Sequence, residues 1–164
     1  MSHPQADIVE CWLFRVGADG RVQVLLMRRS RGRIFEGLWQ PVTGRPEEGE
    51  TAPRAALREV AEETGLGPGD IEVVYTLDQV VQLYSPARNG IAHAVLFAAR
   101  VRPDSVVRIS DEHDAQRWVD AEEAAALAIW PAYRESLARI GRLATDPAFA
   151  SWFELDQQGK RMAG

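Results

Sequence analysis

The stretch GRPEEGETAPRAALREVAEETGL, from Gly44 to Leu66, decides how the rest of this 164-residue chain is read. Thr51 is a residue type that caps helices, Pro53 falls at the second helical position where a missing N–H is harmless, and Gly65 followed by Leu66 is the usual left-handed stop. These signals predict one helix of about four turns. On it Glu59, Glu62 and Glu63 stand at i, i+3 and i+4, which gathers three carboxylates on one face and leaves Leu57, Val60, Ala61 and Thr64 for the opposite, core side. Like charges at these spacings destabilise a helix by roughly 0.2–0.5 kcal/mol per pair, so a cation bound between them would relieve a strain. Oxygen-only donors favour Mg²⁺, with Mn²⁺ as the alternative. Taken alone, the cluster also reads as a solvated face with Arg58 and Glu62 paired at i,i+4.

Working outward, Ile8 to Val16 and Val22 to Met27 are apolar, β-branched runs separated by Gly17-Ala18-Asp19-Gly20, the pattern of a hairpin. A polar loop rich in arginine, Arg28 to Gly37, leads to a short strand at Leu38 to Val42 that Gly44 closes. That loop is a place for substrate contacts. Beyond the helix, Ile71 to Leu83 and Ile91 to Val101 read as strands joined by Ser85 to Gly90, and Arg117-Trp118-Val119 as a shorter one. Asp120 with Glu123 is a capping-box variant opening a helix to about Ile129, and Pro131 opens another through Arg142. The expected architecture is α/β with a mixed sheet, one domain over residues 1–156 and a flexible polar tail over 157–164.

Composition narrows the class. The net charge of -5 argues against general attraction to nucleic acid, so a polyanionic substrate must be met locally by a metal ion or a few arginines. A single cysteine, Cys11, allows no internal disulfide and points to a reducing cytoplasm. Met1 to Asp7 lacks the features of a signal peptide, and no apolar run reaches the roughly 20 residues of a spanning helix, so no membrane role is expected.

Gly44, Glu50, Arg58, Glu59, Val60, Glu62, Glu63, Gly65 and Leu66 resemble the signature of the Nudix hydrolases at every position: Gly, five residues, Glu, seven residues, then Arg-Glu-apolar-x-Glu-Glu-x-Gly-apolar. With seven positions fixed in identity, a chance match at a given start is on the order of one in a billion. The resemblance implies the Nudix α/β/α sandwich with a central mixed β-sheet, and magnesium-dependent attack of water on a phosphoanhydride of a small molecule. By the same resemblance Glu59 and Glu63 would hold metal, Glu62 would be a ligand or the base with Glu59 as the other contender, and Arg58 would brace the loop against Glu50.

A narrower resemblance extends beyond the signature. Trp39-Gln40-Pro41-Val42-Thr43-Gly44, Glu47 to Pro53, Glu112-His113 and Trp118 look like the dihydroneopterin triphosphate pyrophosphatases, also described as dATP pyrophosphohydrolases. In that group the glutamate of the Glu-His pair completes the metal site, which implies Glu112 as a fourth ligand. The implied substrate is a nucleoside triphosphate or dihydroneopterin triphosphate; ADP-ribose, a diadenosine polyphosphate or an oxidised nucleotide stand as alternatives, and a non-catalytic nucleotide-binding module as a rival of another kind. Substrate contacts are assigned to Gly44, to Thr43 and to Arg28, with Arg29 as its alternate. His93 reads as a packed or hydrogen-bonded residue, His113 as positioning its neighbour, and Trp118, Trp130 and Trp152 as filling core or an interface in a possible homodimer.

Overall fold

The computed structural model describes residues 5–163. Its framework is one mixed sheet built from β1 (Ile8–Val16), β2 (Val22–Arg29), β3 (Trp39–Gln40), β4 (Val42–Gly44), β5 (Ile71–Ser85), β6 (Gly90–Val101), β7 (His113–Val119) and β8 (Glu154–Leu155), with α1 (Ala52–Thr64) on one face and α2 (Ala121–Leu127), α3 (Ala132–Thr145) and α4 (Pro147–Ala150) on the other. The main path runs β3-β2-β1-β6-β5-β8, and only β1 and β6 are parallel.

Strand pleating divides the core in two. From β1, Val9, Cys11 and Leu13 point toward α1 and join Leu25, Met27, Val42, Val60 and Phe97, while Trp12 and Phe14 point the other way to meet Leu26, Leu96, Tyr133, Leu137 and Ile140. Among the described residues no helix is long and apolar enough to cross a membrane.

One irregularity positions the site. β1 pairs with β2 only at Phe14–Val16, after which the two strands diverge. β4 then takes the edge of β1, placing Gly44 opposite Val9 and Thr43 opposite Glu10, while β3 takes the edge of β2. Leu38 to Val42 was expected as one strand. Pro41, with no N–H to give a ladder, separates two short ones that pair with different partners.

Other boundaries move for similar reasons. β2 continues through Arg28 and Arg29 because β3 and β7 pair there, so both arginines belong to a strand rather than to the loop. β7 starts at His113, four residues before the expected start, and α2 stops at Leu127 rather than Ile129. Asp120 accepts a hydrogen bond from Glu123 N–H at 2.9 Å, as the capping pattern implied. Neither α4 nor β8 was anticipated.

Helix α1 ends at Gly65 in the left-handed region, φ 71°, as its sequence required, although the Thr51 side chain makes no cap bond. The division of its faces differs from expectation. Ala61 is exposed, Leu57 is half-buried, and Glu63 lies inside with Ala55, Ala56, Val60 and Thr64. At about 100° per residue, Glu63 falls some 40° from Glu59 toward Val60, so the border between wet and dry runs between the two glutamates.

Candidate active site

Arg58 organises the loop that leads into α1. Its Nε and one terminal nitrogen each reach Glu50 at 3.0 Å, and the same nitrogen donates to the carbonyl of Arg45 at 2.9 Å. The remaining nitrogen donates to Glu59 at 2.9 Å and to Glu62 at 3.3 Å. Glu50 also accepts the N–H of Glu47, which closes the turn between them. This planar fork is a geometry lysine cannot supply. The pairing holds Glu50 below the usual carboxylate range, chiefly through the bonds from Arg58.

Gly44 gives Glu59 its place. A Cβ built on residue 44 would stand 2.0 Å from Glu59 Cδ, so the glutamate side chain lies across ground that only a glycine leaves open. Burial raises the pKa of Glu59, and its bond from Arg58 works against that rise.

Glu63 stands deeper. It is 2% exposed, and burial, followed by the charges of Glu59 and Glu112, pushes its carboxyl up to about 8. The backbone N–H of Thr43 works the other way. One carboxylate oxygen, Oε2, has no hydrogen-bond partner among the described residues. Beside it lies His113, whose Nδ1 is 4.0 Å away and whose ring is held neutral, at about 4, by burial and the neighbouring Arg29. Glu112 accepts from Arg29 at 2.9 Å.

The segment carrying Glu112 and His113 is tied to α1 by its backbone. Arg108 and Ser110 donate their N–H groups to the carbonyls of Thr64 and Glu63 at 2.8 and 3.1 Å, satisfying groups left open at the helix C-terminus. Gln40 stands in the stretch that carries the narrower resemblance but has no role assigned there; it is 7% exposed and its side chain reaches His113 at 3.5 Å. Its signal would have been a polar residue inside the strand next to the signature.

The structure separates the other candidates. Arg28 and Arg29 point to opposite sides of β2, and it is Arg29 that lies with Glu112 and Glu63 on the α1 side. Arg28 is bound to Asp114 at 2.6 Å and lies over the ring of Trp39. The Thr43 side chain shares the face of its partner Glu10, away from α1, and its hydroxyl donates to the Pro41 carbonyl at 3.2 Å. On that face the exposed Phe35 meets Trp130 edge-on, centroids 5.8 Å apart, a contact between residues too distant in sequence for any local pattern to pair. Trp118 lies under Arg15, whereas Trp152 is 64% exposed and fills no core. His93 is hydrogen-bonded through its backbone to Asp7 and half-exposed rather than packed inside.

A family comparison gives this arrangement its context: the NUDIX domain model matches residues 8–140. The chain belongs to the Nudix family. Its layered mixed sheet is the Nudix fold, and the family makes it a pyrophosphohydrolase, an enzyme acting on acid anhydrides. The chain is 35% identical over 123 residues to the dihydroneopterin triphosphate diphosphatase of Escherichia coli (strain K12), covering 67% of this Nudix chain and 77% of that protein. It is 32% identical over 111 residues to the asymmetrical bis(5'-nucleosyl)-tetraphosphatase of Mus musculus, covering 67% and 72%. A Myxococcus xanthus relative named octanoyltransferase is 36% identical over 127 residues, but that match covers 75% of this chain and only 33% of the relative, so the chain spans about a third of its length. Among solved structures, the Caenorhabditis elegans Ap4A hydrolase binary complex shares the fold with a TM-score of 0.69 at 23% identity, covering 89% of this chain and 98% of that one.

Nudix hydrolases generally use divalent metals, commonly magnesium, and the donor set here suits such an ion. Its donors are carboxylate oxygens, and burial followed by the like charges of Glu59 and Glu112 raises Glu63, a penalty that a cation would relieve. Among the described residues no three acidic, histidine or cysteine side chains stand as a finished cage. Arg58 holds Glu59 and Arg29 holds Glu112, so a cation would compete with both arginines.

Proposed function

We propose that this Nudix enzyme is a magnesium-dependent pyrophosphohydrolase of a nucleoside triphosphate or dihydroneopterin triphosphate, with Mn²⁺ able to substitute. The observation that carries the reading is Glu63, a carboxyl buried on the inner side of α1 and raised by that burial and then by the charges of Glu59 and Glu112. Glu59, Glu62, Glu63 and Glu112 would hold the ion. When bound, it supplies charge neutralisation on phosphate oxygens and orientation of the attacking water.

The protein groups divide the remaining work. Glu62 is the most exposed of the signature glutamates and is held only by the 3.3 Å contact to Arg58, which supports it as the group that would take the proton of a water attacking phosphorus as the anhydride P–O bond breaks. Glu59, fixed by Arg58 over Gly44, is the alternative base. Arg58 and Glu50 keep the loop in shape, so Arg58 acts on both glutamates. Gly44 and the backbone of Thr43 border the diphosphate, and Arg29 is the arginine on that side of the sheet. Arg28, the first choice from sequence, would contact substrate only if the substrate extended across to the Trp39 face. The likeness to dihydroneopterin triphosphate diphosphatase supports the substrate class, and that to the tetraphosphatase supports a diadenosine polyphosphate as the second reading.

Hydrolysis with magnesium of dATP, dihydroneopterin triphosphate, diadenosine tetraphosphate and ADP-ribose tests this. The expected result is highest kcat/KM on one of the first two, with loss of at least about 100-fold in Glu62→Gln. Preference for diadenosine tetraphosphate or ADP-ribose overturns the substrate assignment. Wild type and Glu62→Gln equally inert on all four would make the chain a binding module.

A further inference from the structure

Two buried polar atoms in this site lack partners, and they face each other. Glu63 Oε2 and His113 Nδ1 are both buried without a hydrogen bond among the described residues. They lie 4.0 Å apart. Leaving such an atom unpaired costs about 1–3 kcal/mol, and native proteins keep few of them. These two would satisfy one another after a displacement of about 1 Å, provided that the ring nitrogen carries a hydrogen.

The far side of the ring decides that. Gln40 Nε2 lies 3.5 Å from His113 Nε2. An amide nitrogen has only hydrogens to offer, so the ring nitrogen it meets presents a lone pair. A neutral imidazole then has its single hydrogen on Nδ1, aimed at Glu63. The backbone keeps the parts together: His113 N–H donates to Ser110 at 3.2 Å, and Ser110 N–H to Glu63 at 3.1 Å.

We propose that Gln40 and His113 form a positioning relay for Glu63: the Gln40 amide fixes the imidazole tautomer, and His113 Nδ1–H takes up Glu63 Oε2, leaving the other oxygen for the cation. The proposal rests on the reading of Glu63 as a metal ligand. Residues that orient a ligand in this way are typically worth 10–100-fold in metal affinity.

The test begins with the metal-free protein. With only three histidines in the chain, the ¹⁵N imidazole spectrum can be assigned by loss of one set of signals in His113→Asn. Wild type is expected to show His113 protonated on Nδ1. Gln40→Met, which keeps the volume and removes the donor, should shift that tautomer toward Nε2–H and weaken Mn²⁺ binding, measured by calorimetry, roughly 10–100-fold, while kcat at saturating metal changes only a few-fold. His113→Asn, whose amide can still donate to Glu63, should keep more Mn²⁺ affinity than His113→Leu. An Nε2–H tautomer in wild type overturns the relay. So does Gln40→Met with unchanged tautomer and Mn²⁺ affinity, and if that variant does not fold, the wild-type spectrum alone decides. Glu63→Gln separates the two claims: wild-type Mn²⁺ affinity in it would remove Glu63 from the ligand set, whatever the tautomer of His113.

Discussion

Gly44 and Glu10, opposed to neighbouring positions of one strand pair, show how far a single residue constrains each face of the sheet. A methyl group at residue 44 would meet Glu59 Cδ at 2.0 Å. Gly44→Ala should therefore displace the glutamate by roughly 1 Å and cost about 100-fold in kcat/KM, with a loss of stability of about 1–3 kcal/mol. Full activity in that variant, measured on the best substrate of the screen, would detach Glu59 from catalysis. Glu10 is buried under Tyr133, whose hydroxyl donates to it at 3.2 Å, and burial pushes the carboxyl up to about 7 from 4.5. A folded-state pKa above the unfolded one contributes stability that is complete below pH 4.5 and is lost as pH rises through 7. The difference amounts to about 3 kcal/mol. Glu10→Gln should accordingly gain on wild type in urea unfolding as pH rises from 4.5 to 8, and a difference that stays flat with pH would refute the assignment. Spacing identified the signature glutamates but not Glu10, because nothing in an apolar strand announces that one polar member will be buried without a full set of partners.

At the scale of elements, α1 was legible because its signals are local. Its stop at Gly65 depends on one backbone conformation, and a Cβ there would find only ordinary contacts with Arg108, so the cost of Gly65→Ala comes from φ 71° alone. About 1–2 kcal/mol is expected. Thermal unfolding would measure it, and activity per folded molecule should be unchanged. A loss of turnover without loss of stability would mean that the helix end governs the site. β8 could not have been read, since two residues become a strand only where β5 offers an edge at Val74 and Tyr75. The same holds for the two arginines of β2. Their place in a strand, and hence on opposite faces, follows from pairing with β3 and β7, which no property of Arg28 or Arg29 encodes.

For the molecule as a whole, β1 is the shared wall of both cores and the ladder on which β4 carries the site. The signature foretold the fold class, while the relation between its two faces awaited the strand register. Domain limits remain our proposal of one unit through residue 156; the last residues nonetheless make contacts, with Arg161 bound to Asp78 and Met162 N–H to Glu154 at 3.0 Å. Cys11 sits in this wall, 1% exposed and opposite Val42, with its thiol pushed up to about 12 by burial. As the sole thiol of the chain it is a built-in clock: a sulfhydryl reagent can modify it only when the wall opens. A cation that binds only the folded state at 100 times its Kd adds about 2.7 kcal/mol, so magnesium should slow labelling of Cys11 about 100-fold. Mass spectrometry of the modified chain would time it, and a rate indifferent to magnesium would argue against a metal site. Occupancy of a cluster of glutamates on one side of the sheet would thus be read out as the lifetime of a sulfur atom that never touches it.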